Sequence, residues 1–430
     1  MALTTDPALQ NQVVYSVYVR AHTSEGTFNA IIPDLDRIRA LGVDIIWFMP
    51  IHPIGEKGKK GSLGCPYANR DYRAVNPAYG TMEDFGRLCE EIHKRGMKVM
   101  IDVVYNHTSP DSVLWETHPE FFFKRPDGSP GNRVGDWTDV IDLDYSVPAL
   151  WDYQIESLCT WAKLVDGFRC DVASLVPVDF WKKARAAVEK VRPGCLWLAE
   201  SIHREFGAFC RSNGMYAARD TELFDAFDME YEYDIRTVFD KMLRGEAPLS
   251  QWADLLEFQE AVYPANYNKL RYLENHDQPR IASLVTDAIA LENYTAMLYF
   301  LKGATLLYAG QEWADTRQPS LFEREPIDRD TGRDLTPLLQ TLSRIKREAL
   351  SPDDAFFARA MDKSGVAVMT RVNAAAKKVG IFSLQGRAVS VELDDVPDGS
   401  YVNLVDGTRV TVLRGALRCD GKPIIFSIAK

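Results

Sequence analysis

Along the first 350 residues, short apolar runs alternate with stretches whose apolar positions recur at three- and four-residue steps. VVYSVYV (13 to 19) is the first run. Ile31, Leu35, Ile38 and Leu41 follow at helical spacing, and Gly42 stands where a left-handed C′ residue would end that helix. DIIWFM (44 to 49) is the second run. After a Gly- and Lys-rich loop, Thr81 and Asp84 open another helix as a variant of the capping box, and Gly96 closes it. KVMIDVVY (98 to 105), GFRCD (167 to 171), CLWLAE (195 to 200), FDAFDMEY (224 to 231), KLRYLEN (269 to 275) and ATLLYAG (304 to 310) continue the series. Eight such runs, each followed by helical or loop sequence, predict an α/β fold built as a (β/α)8 TIM barrel. A doubly wound open sheet shares the alternation, but it gives no reason for charged residues at so many strand ends.

Two segments break the rhythm. Residues 106 to 146 are too long for a tight βα loop and rich in Pro, Gly, Asp and aromatics, which predicts a short inserted subdomain after the third strand. From 352 onward, alternating strands such as VAVMTRV and KVGIFSL, broken by Asp-Gly turns, predict a C-terminal all-β, sandwich-like domain over 352–430. The barrel is thus expected from residues 1–105 and 147–351.

Composition narrows the partners. A net charge of −11 argues against nucleic acid and anionic membrane surfaces, which attract concentrated Lys and Arg. The N-terminus carries no signal-peptide pattern, and no apolar run is long enough to span a bilayer, so the expectation is a cytoplasmic protein. Seven scattered cysteines lack zinc or disulfide spacing and read as reduced, mostly buried thiols.

Charged residues inside strand runs call for an explanation, because an unpaired buried ion costs several kcal/mol. On a strand through VDGFRCD, Gly167, Arg169 and Asp171 share one face while Phe168 and Cys170 share the other. In a barrel this sends Arg169 and Asp171 inward and Cys170 toward the helices. The same phase puts Asp102 inside from the third strand and Glu200 from the fifth; Asn275, His276 and Asp277 close the seventh. Any one of these acids alone would read as a helix cap. Together they predict a cluster at the C-terminal rim, with Arg169 keeping Asp171 ionised and so separating its role from that of Glu200.

DVVYNH (102 to 107), GFRCDVA (167 to 173), the Glu200 of CLWLAE and NHD (275 to 277) resemble, in this order, the four signature segments of the α-amylase family of glycoside hydrolases. GVDIIWFMPI, PYANRDYRAVNPAYGT and LLYAGQE extend the resemblance over about residues 13 to 350. It implies a retaining enzyme cleaving α-1,4 bonds of maltodextrins, with Asp171 as nucleophile, Glu200 as general acid/base and Asp277 as transition-state stabiliser. It also implies substrate contacts from Tyr67, Asp102, His107, Arg169 and His276. Trp313, one of several aromatics in loops after strands, is a candidate stacking platform for a sugar ring.

Departures from the family's pattern leave choices open. Leu175 stands where calcium-binding members carry a histidine, so no cofactor is expected and calcium is not expected to be required. Val172 and NHDQPR resemble relatives that also cut α-1,6 bonds, and the short inserted segment favours an accessible groove. The expected partner is an α-glucan oligosaccharide, met by a monomer or weak homo-oligomer. The rivals are an α-glucosidase, an oligo-1,6-glucosidase or a transglycosylase on the same site, an inactive sugar-binding scaffold, and a hydrolase with a metal held by Asp102, His107, His276 and Asp277.

Overall fold

The computed structural model describes residues 4–135 and 137–430. Eight parallel strands close into a barrel: β1 (Val13–Val17), β2 (Ile45–Phe48), β3 (Lys98–Val103), β4 (Gly167–Cys170), β5 (Leu196–Ala199), β6 (Met229–Tyr231), β7 (Lys269–Arg271) and β8 (Ala304–Tyr308). Each strand pairs with its neighbours in sequence, and β1 pairs with β8 to complete the ring. β-Branched and aromatic residues populate these strands because both faces are buried.

The two-residue period divides the strands into two cores. Val14, Ile45, Trp47, Met100, Leu198, Tyr231 and Leu306 fill the barrel interior. Tyr15, Ile46, Phe48, Ile101, Phe168, Cys170 and Trp197 face outward and pack with the helices. Arg169 lies between two outward residues of β4 and is 0% exposed. Asp102 of β3 is its direct partner across the parallel ladder.

Some helices follow the sequence reading and one departs from it. The helix Met82–Lys94 starts at the expected capping box: Thr81 Oγ1 accepts from Asp84 N, and Asp84 Oδ2 accepts from Thr81 N. The helix expected through Ile31 to Leu41 is broken. Short helices at Phe28–Ile31 and Leu35–Ala40 flank a 3-10 turn at Ile32–Asp34, where Pro33 cannot donate to the helical ladder. Gly42 does end it with φ +84, and a Cβ there would overlap Ser343. β6 and β7 are also shorter than their runs: residues 224 to 228 form a turn and loop before β6, and residues 272 to 277 form the loop that delivers the NHD motif.

After β3, His107–Thr108 pairs antiparallel with Ile141–Asp142 and anchors the inserted segment. Phe121 and Phe122 are buried in its small core, with Trp115 edge-on to Phe122. The C-terminal strands are β9 (Ala355–Met361), β10 (Val366–Val372), β11 (Ala376–Ser383), β12 (Val389–Glu392), β13 (Gly399–Val402), β14 (Arg409–Leu413), β15 (Ala416–Cys419) and β16 (Ile424–Ala429). They form two antiparallel sheets ordered β9-β10-β11-β16 and β12-β15-β14-β13 around a core that includes Val368, Ile381, Val412 and Phe426. The helix Ala288–Phe300 joins this module to the barrel: Asn293 accepts from Ser383 N, and Phe300 packs on Phe382.

Candidate active site

Arg169 organises the mouth of the barrel. Its Nη1 donates to both carboxylate oxygens of Asp102 at 3.0 Å and to Asp171 Oδ1 at 2.8 Å, and its Nη2 lies 3.0 Å from Glu200 Oε2. One guanidinium therefore faces three carboxyl groups. The rings of Trp47, Tyr231 and Tyr67 surround it at 5.2, 5.5 and 5.6 Å. The sequence reading missed Trp47 and Tyr231. The signal was available, since Trp47 shares the inward phase of Ile45 and Tyr231 that of Met229.

Asp171 follows the last residue of β4, and Val172 after it adopts a left-handed φ of +35. A β-branched residue is strained there, by about 1–3 kcal/mol. The turn aims Val172 N at Glu200 Oε2, 2.7 Å away. Backbone strain thus holds one catalytic candidate against the residue following the other.

On the opposite side, Tyr67 Oη donates to Asp102 Oδ2 at 3.0 Å and meets His276 Nε2 at 2.8 Å, with the two rings stacked. His276 Nε2 is also 3.1 Å from Asp277 Oδ2, and Asn275 Oδ1 accepts from Asp277 N. Gln318 donates to the His276 carbonyl and fixes the loop from the far side. His107 Nε2 lies 3.9 Å from Asp171 Oδ2. Asp102, Asp171, Glu200, His107 and His276 are all buried, whereas the Asp277 side chain is 40% exposed and opens the cluster to solvent.

Burial pushes the Asp171 carboxyl up to about 6, against the pull of Arg169. Burial also lifts Glu200, to about 8; Arg169 opposes the rise, and the charges of Asp171 and Asp277 add to it. Asp102 is raised to about 6 by the same desolvation. At Asp277 burial acts upward, but the adjacent His276 overrides it and holds the carboxyl below its usual range. Burial lowers His107, which favours a neutral imidazole.

These values correct one expectation. Arg169 does not by itself separate the roles of Asp171 and Glu200, because it touches both. The separation comes from unequal surroundings: Asp171 accepts a hydrogen bond from the guanidinium and feels one neighbouring carboxylate, Asp102, while Glu200 feels two. At neutral pH the arrangement presents an ionised Asp171 beside a protonated Glu200. Two unlike carboxyls in one cleft are what an attacking carboxylate and a proton donor require.

Trp313 does not join the cluster. It packs against the core between barrel and helices, with Arg37 and Arg329 guanidiniums 4.3 and 4.8 Å from its ring. Arg37 is itself tied to Asp34 and Glu312. Two of the protein's own cations thus lie against its ring.

The family's calcium position would fall near Asn106 and the inserted segment. The residues there do not fit it. Asn106 Nδ2 contacts His107, and Asp142 accepts from Arg133 N at 2.7 Å with the Arg133 guanidinium 3.5 Å away. Calcium requires six to eight oxygens, and here an arginine already supplies the positive charge.

The comparisons follow this geometry. The family description "Alpha amylase, catalytic domain" matches residues 10–129 and 134–356, and "Bacterial Alpha amylase C-terminal domain" matches 357–426. An alpha-amylase from Lactobacillus plantarum is 43% identical with a TM-score of 0.94, covering 98% of this chain and 100% of that one. A noncanonic maltogenic alpha-amylase from Thermotoga neapolitana is 29% identical with a TM-score of 0.87, covering 98% and 99%. Alpha-1,4-glucan:maltose-1-phosphate maltosyltransferase of Pseudomonas aeruginosa is 33% identical over 204 residues, 42% of this chain; the match spans 31% of that enzyme's length. The chain also spans 44% of the length of the alpha-amylase MalA of Haloarcula japonica, at 28% identity. With both modules matched in order and the barrel's carboxylates gathered on Arg169, the chain belongs to the alpha-amylase family of glycoside hydrolases.

Proposed function

We propose that this enzyme is a retaining hydrolase of α-1,4 bonds in maltodextrins. The observation that carries the reading is the pairing of Asp171 and Glu200 on one guanidinium, with the carboxyl of Glu200 the harder to ionise. Asp171 Oδ2 attacks the anomeric carbon, and the glycosidic C–O bond breaks as Glu200 gives its proton to the leaving oxygen. Water then attacks the glycosyl ester, giving its proton to Glu200 and releasing Asp171 with the sugar's configuration retained. Asp277, open to the cleft, stabilises the positive charge that develops on the ring. His107 and His276 hold hydroxyl groups of the same sugar, and Tyr67 and Asp102 support that side of the site.

The proposal includes no required metal, in keeping with the arginine beside Asp142. Seven unpaired thiols support a reducing compartment, with the cytoplasm as its place of action. Among the described residues, no helix is long and apolar enough to cross a membrane.

Likeness to maltosyltransferases supports a second reading in which a sugar hydroxyl replaces the attacking water. Product analysis separates the two. Incubation with maltoheptaose, in the presence of a chelator, should give a mixture of shorter maltodextrins. Products longer than the substrate would favour transfer, glucose alone would favour exo cleavage, and no turnover would overturn the hydrolase.

The pH profile follows from the two carboxyls. kcat/KM should rise through about 6 as Asp171 ionises and fall through about 8 as Glu200 loses its proton. Rates measured across that range on maltotriose test the assignment. A profile still rising above about 9 would contradict Glu200 as proton donor.

A further inference from the structure

A cavity of about 300 Å³ lies where the segments following β1, β2 and β8 meet, and none of the catalytic carboxyls or histidines described above lines it. Its lining carries four cations, Arg20, Lys59, Arg70 and Arg324, against one carboxylate, Glu56. In a chain of net charge −11 this is a local reversal of sign.

Internal partners do not account for that charge. Glu56 is taken by Lys59 at 2.5 Å, and Arg70 stands 3.9 Å from Asp111. Arg20 is 4% exposed; it donates to the backbone carbonyls of Leu63, Gly64 and Leu321 and forms no ion pair among the described residues. Arg324, at the surface, makes neither an ion pair nor a hydrogen bond among the described residues. Buried Tyr79 completes the wall. Its hydroxyl stands near Tyr18, Arg20 and Arg324, yet none of them forms a well-aligned hydrogen bond with it.

A buried cation without a counter-ion and a buried hydroxyl without a partner are both costs that one bound group can remove. That group must be negative and offer several acceptor oxygens. A phosphoryl group does both, and its oxygens match the paired N–H groups of guanidinium. Pro53, Ile54 and Pro77 form an apolar side, which leaves room for the organic part of an ester.

We propose that this cavity binds a phosphoryl group, free or as the ester of a small sugar, between Arg20, Arg324 and the Tyr79 hydroxyl. The inference stands apart from the reaction catalysed. It bears on the rim all the same: Ser62 N donates to Glu323 and Leu63 N to the Phe322 carbonyl, joining the loop after β8 to the loop that carries Tyr67. An anion held between Arg20 and Arg324 braces both loops. Because it binds the folded protein, it raises the melting temperature.

Calorimetric titration of the whole chain with inorganic phosphate, glucose 6-phosphate and, at equal ionic strength, sodium chloride tests the site. Phosphate should bind with a dissociation constant below about 1 mM, and chloride should not bind. Arg324→Gln should weaken phosphate binding about tenfold, the loss of one charge-assisted hydrogen bond, and Tyr79→Phe about threefold. Arg324 is exposed and unpaired, so its removal should leave the melting temperature without phosphate unchanged. Tighter binding of the ester would assign the site to sugar phosphates and equal binding to free phosphate, either in support. Absence of binding, equal heats from chloride, or binding insensitive to both substitutions, as phosphate lodged among the catalytic groups would be, overturns the proposal.

Discussion

Asp171→Asn should reduce kcat on maltoheptaose by on the order of 10⁵-fold, and Glu200→Gln by about 10²–10⁴-fold, in proteins that remain folded. The two losses differ in kind. An amide at 171 cannot form the glycosyl ester, and no choice of substrate supplies the missing nucleophile. An amide at 200 cannot donate a proton, but a leaving group that departs without one bypasses that defect. An α-glucosyl fluoride should therefore restore the first, bond-breaking step to Glu200→Gln, seen as a burst of fluoride before a slow second step that still lacks its base, and restore nothing to Asp171→Asn. Steady-state rates on maltoheptaose and the burst of fluoride release, with circular dichroism to confirm the fold, decide the matter. Either variant keeping most of its activity on maltoheptaose would remove that residue from the mechanism.

Neither substitution should harm the fold, because both amides keep the shape of the acids and Arg169 keeps Asp102. Asp171→Asn removes a charge from a site where burial already pushes the carboxyl up to about 6. Replacing such a group by a neutral isostere relieves desolvation. Stability equal to or slightly above that of the parent is the expected result.

Strand alternation made most of this site legible. Once β4 was read with Phe168 and Cys170 outward, Arg169 and Asp171 had to face the interior, and the structure places Cys170 in the outer core and Arg169 among the carboxyls. Features set by backbone geometry stayed hidden. The left-handed turn at Val172 leaves no mark in residue type, because valine is among the residues least suited to it. A file of rings through Trp137, Phe206 and Phe209 joins two segments far apart in sequence that only the fold brings together. Trp313 shows the opposite failure: an aromatic after a strand suggested a platform, but Arg37 and Arg329 lie against its ring. The broken first helix was legible in principle, since Pro33 sits inside the periodic run, but apolar spacing outweighed it.

Arg169→Met tests the centre of the cluster and should cost about 3–5 kcal/mol of stability, because it leaves three carboxyls buried without their cation. The protein would respond by keeping protons on them. Asp102, Asp171 and Glu200 already sit above the ordinary carboxyl range with Arg169 in place, and its pull on each is downward. Without it their folded-state values climb further above the unfolded value of about 4. A carboxyl raised on folding holds protons that the unfolded chain has released, so its penalty is absent in acid and grows as pH rises toward the folded value. The variant should therefore lose less stability near pH 5 than near pH 8, as read by urea denaturation at both. Activity follows the same sign. Asp171 would be protonated at neutral pH, moving the rising limb of the rate profile upward from about 6, and the falling limb set by Glu200 would move upward from about 8 with it. A methionine variant with the parent's pH profile and stability would show that the guanidinium merely fills space between the acids.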